Sequence, residues 1–125
     1  MELEIENGVL KKIHMLYFGD DDIKDIVIPY GVTKIGYQAF ASDRHHIDSI
    51  TIPDTVTEIG ESAFEFCYAL TSLTIGKGLK VFGDYAFGDC ENLKNITLPS
   101  REFKLDPKAF EERDVSNFII NYKEN

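Results

Sequence analysis

Tryptophan is absent from this chain, cysteine occurs twice and proline four times in 125 residues. Positive charge is scarce as well: 13 Lys+Arg stand against 22 Asp+Glu, a net charge of −9. Each shortage excludes something. Two thiols, Cys67 and Cys90, do not make a disulfide framework. The acidic balance disfavours direct binding to nucleic acid or anionic lipid, because both are polyanions. A small basic protein is the easier partner to attract. No apolar run approaches the roughly 18 residues that a membrane span needs. The start, Met1-Glu2-Leu3-Glu4-Ile5-Glu6, lacks the basic residues and apolar stretch of a secretory signal. The chain as given is therefore expected in the cytoplasm, or at the cell surface if it is a piece of a longer exported protein. With 43% hydrophobic and 28% charged residues, the composition is that of a packed domain or a short repeat array.

The residues that are present decide for the array. Ala-Phe occurs four times, at Ala39-Phe40, Ala63-Phe64, Ala86-Phe87 and Ala109-Phe110, spaced by 24, 23 and 23 residues. Seventeen residues before each Phe stands an aliphatic residue: Ile23, Ile47, Leu70 and Leu93. Each opens an L-x-x-L-x-L run: Ile23/Ile26/Ile28, Ile47/Ile50/Ile52, Leu70/Leu73/Ile75 and Leu93/Ile96/Leu98. Pro29, Pro53, Gly76 and Pro99 follow these runs. An apolar residue and Gly come next in three copies, Ile35-Gly36, Ile59-Gly60 and Phe82-Gly83, where the fourth has Leu105-Asp106. Three residues after Phe the copies carry Asp43, Cys67, Cys90 and Arg113.

The alternating segments, such as Ser49-Ile50-Thr51-Ile52, predict short strands with one face buried. Pro or Gly ends each strand, since Pro cannot donate to a ladder. A second extended piece is expected at Val32–Ile35 and Val56–Ile59. The x-x-Ala-Phe stretch is expected to make one helical or 3₁₀ turn that drops the ring inward. A unit of 23 residues cannot bury its own apolar face, so stacked units share one core. The four Phe residues should then form a column.

The ends need covering. Leu3 to Ile13 alternates on both sides of Asn7-Gly8, a strong type I′ hairpin signal. That hairpin is expected to cap the array, with Glu4, Glu6 and Lys11 outward. Asn117 to Tyr122 reads as one closing strand. The division is 1–22 for the cap and loop and 23–113 for four repeats (23–46, 47–69, 70–92, 93–113). Residues 114–125 make the closing strand.

The unit Ile47-Asp48-Ser49-Ile50-Thr51-Ile52-Pro53, continuing through Ile59-Gly60 to Ala63-Phe64 and Cys67, resembles the BspA-type leucine-rich repeat of bacterial and protist proteins. The resemblance implies a leucine-rich-repeat solenoid, a short right-handed superhelix, mainly β with a parallel sheet on one face. It also implies protein–protein interaction, in adhesion or host-protein binding, as for the large cell-surface members of the family. The outward residues Asp25, Val27, Ser49, Thr51, Ser72, Thr74, Asn95 and Thr97 are then the candidate binding face. They are small, and no aromatic or Arg anchor stands among them.

The remaining candidates are weaker. Tyr30, Tyr37, Tyr68 and Tyr85 are expected to be exposed, but at different repeat positions. Asp20-Asp21-Asp22 and Asp25 lack the spacing of a calcium loop. His45-His46 diverge from one backbone point and have no third ligand in view. Cys67 and Cys90 should stack on adjacent coils, as buried thiols or as a bridge. No nucleophile with its base, phosphate loop or zinc signature occurs. The expectation is a non-enzymatic protein without cofactor or metal, a monomer able to self-associate through the solenoid ends. A second reading is a small acidic intracellular inhibitor that covers the basic, nucleic-acid-binding surface of a target.

Overall fold

The computed structural model describes residues 2–14, 25–41, 47–111, 113 and 115–123. Ile23, the loop at 19–22 and the pair His45-His46 lie outside the described residues. The chain opens with an antiparallel hairpin, β1 (Glu2–Glu6) and β2 (Val9–His14). Asn7 and Gly8 at its tip have φ of 52° and 80°, the left-handed pair that a type I′ turn requires. At the base of that tip, exposed Lys11 and Glu6 form an ion pair at 3.1 Å.

The repeats then wind between two sheets. The L-x-L segments form β3 (Asp25–Val27), β5 (Ser49–Thr51), β7 (Ser72–Thr74) and β9 (Asn95–Leu98). They pair in parallel, and β10 (Ile119–Tyr122) closes the series on β9. The second extended pieces form β4 (Lys34–Ile35), β6 (Glu58–Ile59) and β8 (Val81–Phe82), also parallel. The fold is thus a mostly β solenoid with parallel sheets. The second extended pieces expected at Val32–Ile35 and Val56–Ile59 pair into a sheet of their own. The two sheets run β10-β9-β7-β5-β3 and β1-β2-β4-β6-β8. The hairpin joins the second of them, through Val9 beside Lys34 and Leu10 beside Ile35.

The core lies between the sheets and the Ala-Phe turns. Ile26, Ile50, Leu73 and Ile96 are buried in one register row. Phe40, Phe64, Phe87 and Phe110 stack with centroids 4.9, 5.0 and 5.3 Å apart and rings within 15° of parallel. That interval matches the spacing of neighbouring strands, about 4.8 Å, so backbone ladder and ring column share one period. Phe118 turns edge-on against Phe110 at 5.4 Å and ends the column.

The Ala-Phe stretches of the first three copies are the expected compact turns, but each carries a left-handed residue that keeps it from being a regular helical turn. Gln38, Ser62 and Tyr85 sit at φ of 53°, 56° and 58°. Their N–H groups donate to Glu61, Asp84 and Lys108 of the next coil. Each turn is still closed within its own coil by an i→i+3 bond, from the N–H of Ala39 to Gly36, of Ala63 to Gly60 and of Ala86 to Gly83, each at 3.2 Å. The fourth copy forms a regular 3₁₀ helix, Pro107–Phe110. There Asp106 accepts a hydrogen bond from the Lys108 N–H at 3.0 Å, and Pro107 occupies the first turn.

The fourth copy also departs at the glycine position. A Cβ on Gly60 would lie 2.9 Å from the Gly36 carbonyl carbon, and one on Gly83 would lie 2.2 Å from the Glu61 nitrogen. Adjacent coils approach there too closely for a side chain. Asp106 carries one, and the second sheet stops at β8.

Candidate protein-binding face

The five strands of the first sheet put two outward ladders side by side. One is Asp25, Ser49, Ser72, Asn95 and Ile119, and the other is Val27, Thr51, Thr74, Thr97 and Asn121. All eight residues expected on this face are on it. Asp25 and Val27 are exposed, and the six in the next three strands are half-buried by their neighbours. Ser49 Oγ donates to Asp25 Oδ1 at 2.6 Å, which holds the lone acid of the eight against the sheet. Ile119 and Asn121 extend the face by a rung that the repeat pattern omits. Their signal was the alternation of the closing strand. Val27 (67% exposed) and Ile119 (58%) thus stand at opposite corners of a flat, hydroxyl- and amide-covered surface. Such a surface offers short donors and acceptors at a regular interval.

The four tyrosines are exposed, from 81% at Tyr30 to 48% at Tyr85. Cys67 and Cys90 are buried thiols that no disulfide joins. The Cys67 thiol donates to the Phe40 carbonyl at 3.4 Å, and the Cys90 thiol to the Phe64 carbonyl at 3.2 Å. Each therefore satisfies a buried acceptor in the preceding coil, which gives this small residue its place in the corner. Arg113 holds the same position in the last copy. Its guanidinium donates to the Cys90 and Leu93 carbonyls, both at 2.8 Å, and lies 4.8 Å from the centre of the Phe118 ring.

One cluster escaped the sequence reading. Glu65, Asp89 and Glu111 come from three successive Ala-Phe turns, and their carboxylate oxygens lie within 4.8 Å of one another. Gly88 makes room for them: a Cβ there would meet Glu111 Oε1 at 2.6 Å. Glu65 and Glu111 each follow the Phe of their copy, and this was the available signal; Asp89 stands one residue further on. Glu111 remains exposed, yet partial desolvation first, then the charges of Asp89 and Glu65, raise its carboxyl above the ordinary glutamate range. A carboxyl raised in this way holds its proton more tightly in the folded chain than in the unfolded one. Stability therefore falls as pH rises from the ordinary glutamate value through the raised one. Glu111→Gln should melt at a higher temperature than the parent at pH ~7, and the difference should vanish near pH ~3, where both states hold the proton. Equal melting temperatures at neutral pH would reject this account of the cluster.

No helix among the described residues is long and apolar enough to cross a membrane. The family described as BspA type leucine rich repeat region matches residues 11–124 in six copies, from within the hairpin through the closing strand. Among solved structures, a leucine-rich repeat protein from Bacteroides capillosus ATCC 29799 is similar, with 26% identity and a TM-score of 0.67. The match covers 93% of this chain and 86% of that one. A leucine rich cell surface protein from Faecalibacterium prausnitzii A2-165 shares the fold at 24% identity and a TM-score of 0.58, over 91% of this chain. The chain spans 38% of that second protein. No curated protein matches the sequence.

Proposed function

Since the chain belongs to the BspA-type leucine-rich repeat family, we propose that it is a non-enzymatic protein–protein interaction module whose first sheet carries the contact. Adhesion or host-protein binding is the form of interaction that the family implies. The observation that carries the reading is the outward pair of ladders, Asp25/Ser49/Ser72/Asn95 and Val27/Thr51/Thr74/Thr97. The sheet's hydrogen bonds fix the backbone and the side chains are short, so a partner has few rotatable bonds to order on binding and the entropic cost is small. The acidic-inhibitor reading draws nothing from this face, where Asp25 is the lone acid of the eight.

The test is capture of partners from the native host by immobilised protein, comparing the parent with Thr51→Arg/Thr74→Arg. Both threonines lie in the middle of the face, so two long cations there disrupt any close partner. Capture should fall at least about tenfold, equivalent to ~1.4 kcal/mol, while the melting temperature stays within the range usual for surface changes. Unchanged capture by a folded double variant removes this face from consideration.

A further inference from the structure

The second sheet ends with acceptors that its own register leaves empty. Along this sheet one carbonyl per coil receives the next coil's entering N–H groups. The Gly8 carbonyl accepts from Thr33 at 2.8 Å, that of Thr33 from Thr57 at 2.9 Å, and that of Thr57 from Lys80 at 2.9 Å. A second carbonyl per coil receives the glycine. Leu10 accepts from Gly36, Ile35 from Gly60 and Ile59 from Gly83, each at 2.7 Å. The equivalent carbonyls on β8 belong to Lys80 and Phe82, and no hydrogen bond to either is made among the described residues. Phe103, Lys104 and Leu105 stand in register to supply the next strand, yet they form none. Asp106 in place of glycine keeps them off. A groove remains between β8 and this segment, with Leu79, Phe82, Phe103 and Leu105 in its lining and Lys80 and Lys104 beside them. Phe103 meets Phe82 only edge-on, with centroids 6.2 Å apart.

We propose that the β8 edge is a strand-addition site for an extended peptide segment of a partner protein. The segment runs parallel to β8, as β4, β6 and β8 run to one another. It supplies two backbone N–H groups to the Lys80 and Phe82 carbonyls. One apolar residue covers Phe82, and a glycine follows it, because the approach between coils at that position excludes a Cβ. Specificity thus comes from the apolar-Gly pair, and affinity comes from the main chain. Charge contributes little, since Lys80 and Lys104 are balanced by Glu102 and Asp106 on the same groove. This site is separate from the outward face of the first sheet and stands whether or not that face binds.

The probe is a synthetic peptide copying residues 55–61, Thr-Val-Thr-Glu-Ile-Gly-Glu, with both ends blocked. It is titrated into the full isotope-labelled chain and followed by amide NMR shifts. Saturable shifts should appear at Leu79 to Phe82 and at Phe103 to Leu105. Replacing the peptide's glycine by N-methylglycine, which removes the donor, should weaken binding at least about fivefold, as should replacing it by alanine. The Thr51→Arg/Thr74→Arg variant should bind the peptide as the parent does, so failure here and failure of the sheet face are read separately. Three results overturn the proposal: no shifts at millimolar peptide, equal binding by the N-methyl peptide, or shifts confined to the first sheet. Concentration-dependent shifts at Val81 and Phe82 without peptide also overturn it, since a second copy of the chain then occupies the edge.

Discussion

Phe64→Ala is expected to lower unfolding stability by about 3–5 kcal/mol, the range for truncating a buried Phe. Phe64 is fully buried, with a parallel ring on each side at 4.9 and 5.0 Å. The cavity cannot close by collapse. The Phe64 N–H donates to Ala86 at 2.7 Å and the Phe40 N–H to Ala63 at 2.7 Å, so the flanking backbones are held at ladder spacing. The cost therefore approaches transfer and cavity terms together. Denaturant titration followed by circular dichroism measures it, and a loss under about 1 kcal/mol would show that the column is dispensable. Phe87→Ala should couple to it in a double-mutant cycle, because the second truncation removes a ring already missing one partner.

Gly83→Ala should be nearly as damaging, although it adds a single methyl group. The new Cβ would sit 2.2 Å from the Glu61 nitrogen and 2.4 Å from the Gly60 carbonyl carbon. Both contacts are backbone, so no side chain can swing aside. Relief requires β8 to separate from β6, with loss of the Gly83-to-Ile59 hydrogen bond. Overpacking of this kind costs about 1–3 kcal/mol and sometimes more, and the rigid neighbours place this case at the upper end. Gly31→Ala is the control. No atom lies within 4 Å of its Cβ position, and its φ of 103° leaves only backbone strain. If Gly83→Ala unfolds no earlier than Gly31→Ala in the same titration, close approach of the coils is not what requires glycine at this position.

These two predictions also separate what each level of description determined. The repeat was legible in the residues alone, because stacking demands the same chemistry at the same position in every coil. The buried strands, the Phe column, the type I′ hairpin and the outward ladders all followed from period and alternation. So did the closing strand, although its outer residues Ile119 and Asn121 were not added to the face. The Leu105-Asp106 departure was visible too, but its meaning was not. Only the approach of Gly60 and Gly83 to the preceding backbone reveals that a Cβ there ends a sheet.

The carboxylate cluster is a second case. Glu65, Asp89 and Glu111 are unremarkable acids far apart in the chain, and their convergence depends on how three turns stack. The sequence determined what each coil buries, since burial is a property of one residue's chemistry repeated in register. The tertiary structure decided how closely neighbouring coils approach, since that is set by backbone atoms no side-chain pattern encodes. The strands of the second sheet were legible at Val32–Ile35 and Val56–Ile59, but the reason for its glycines and its open edge at β8 belongs to that distance.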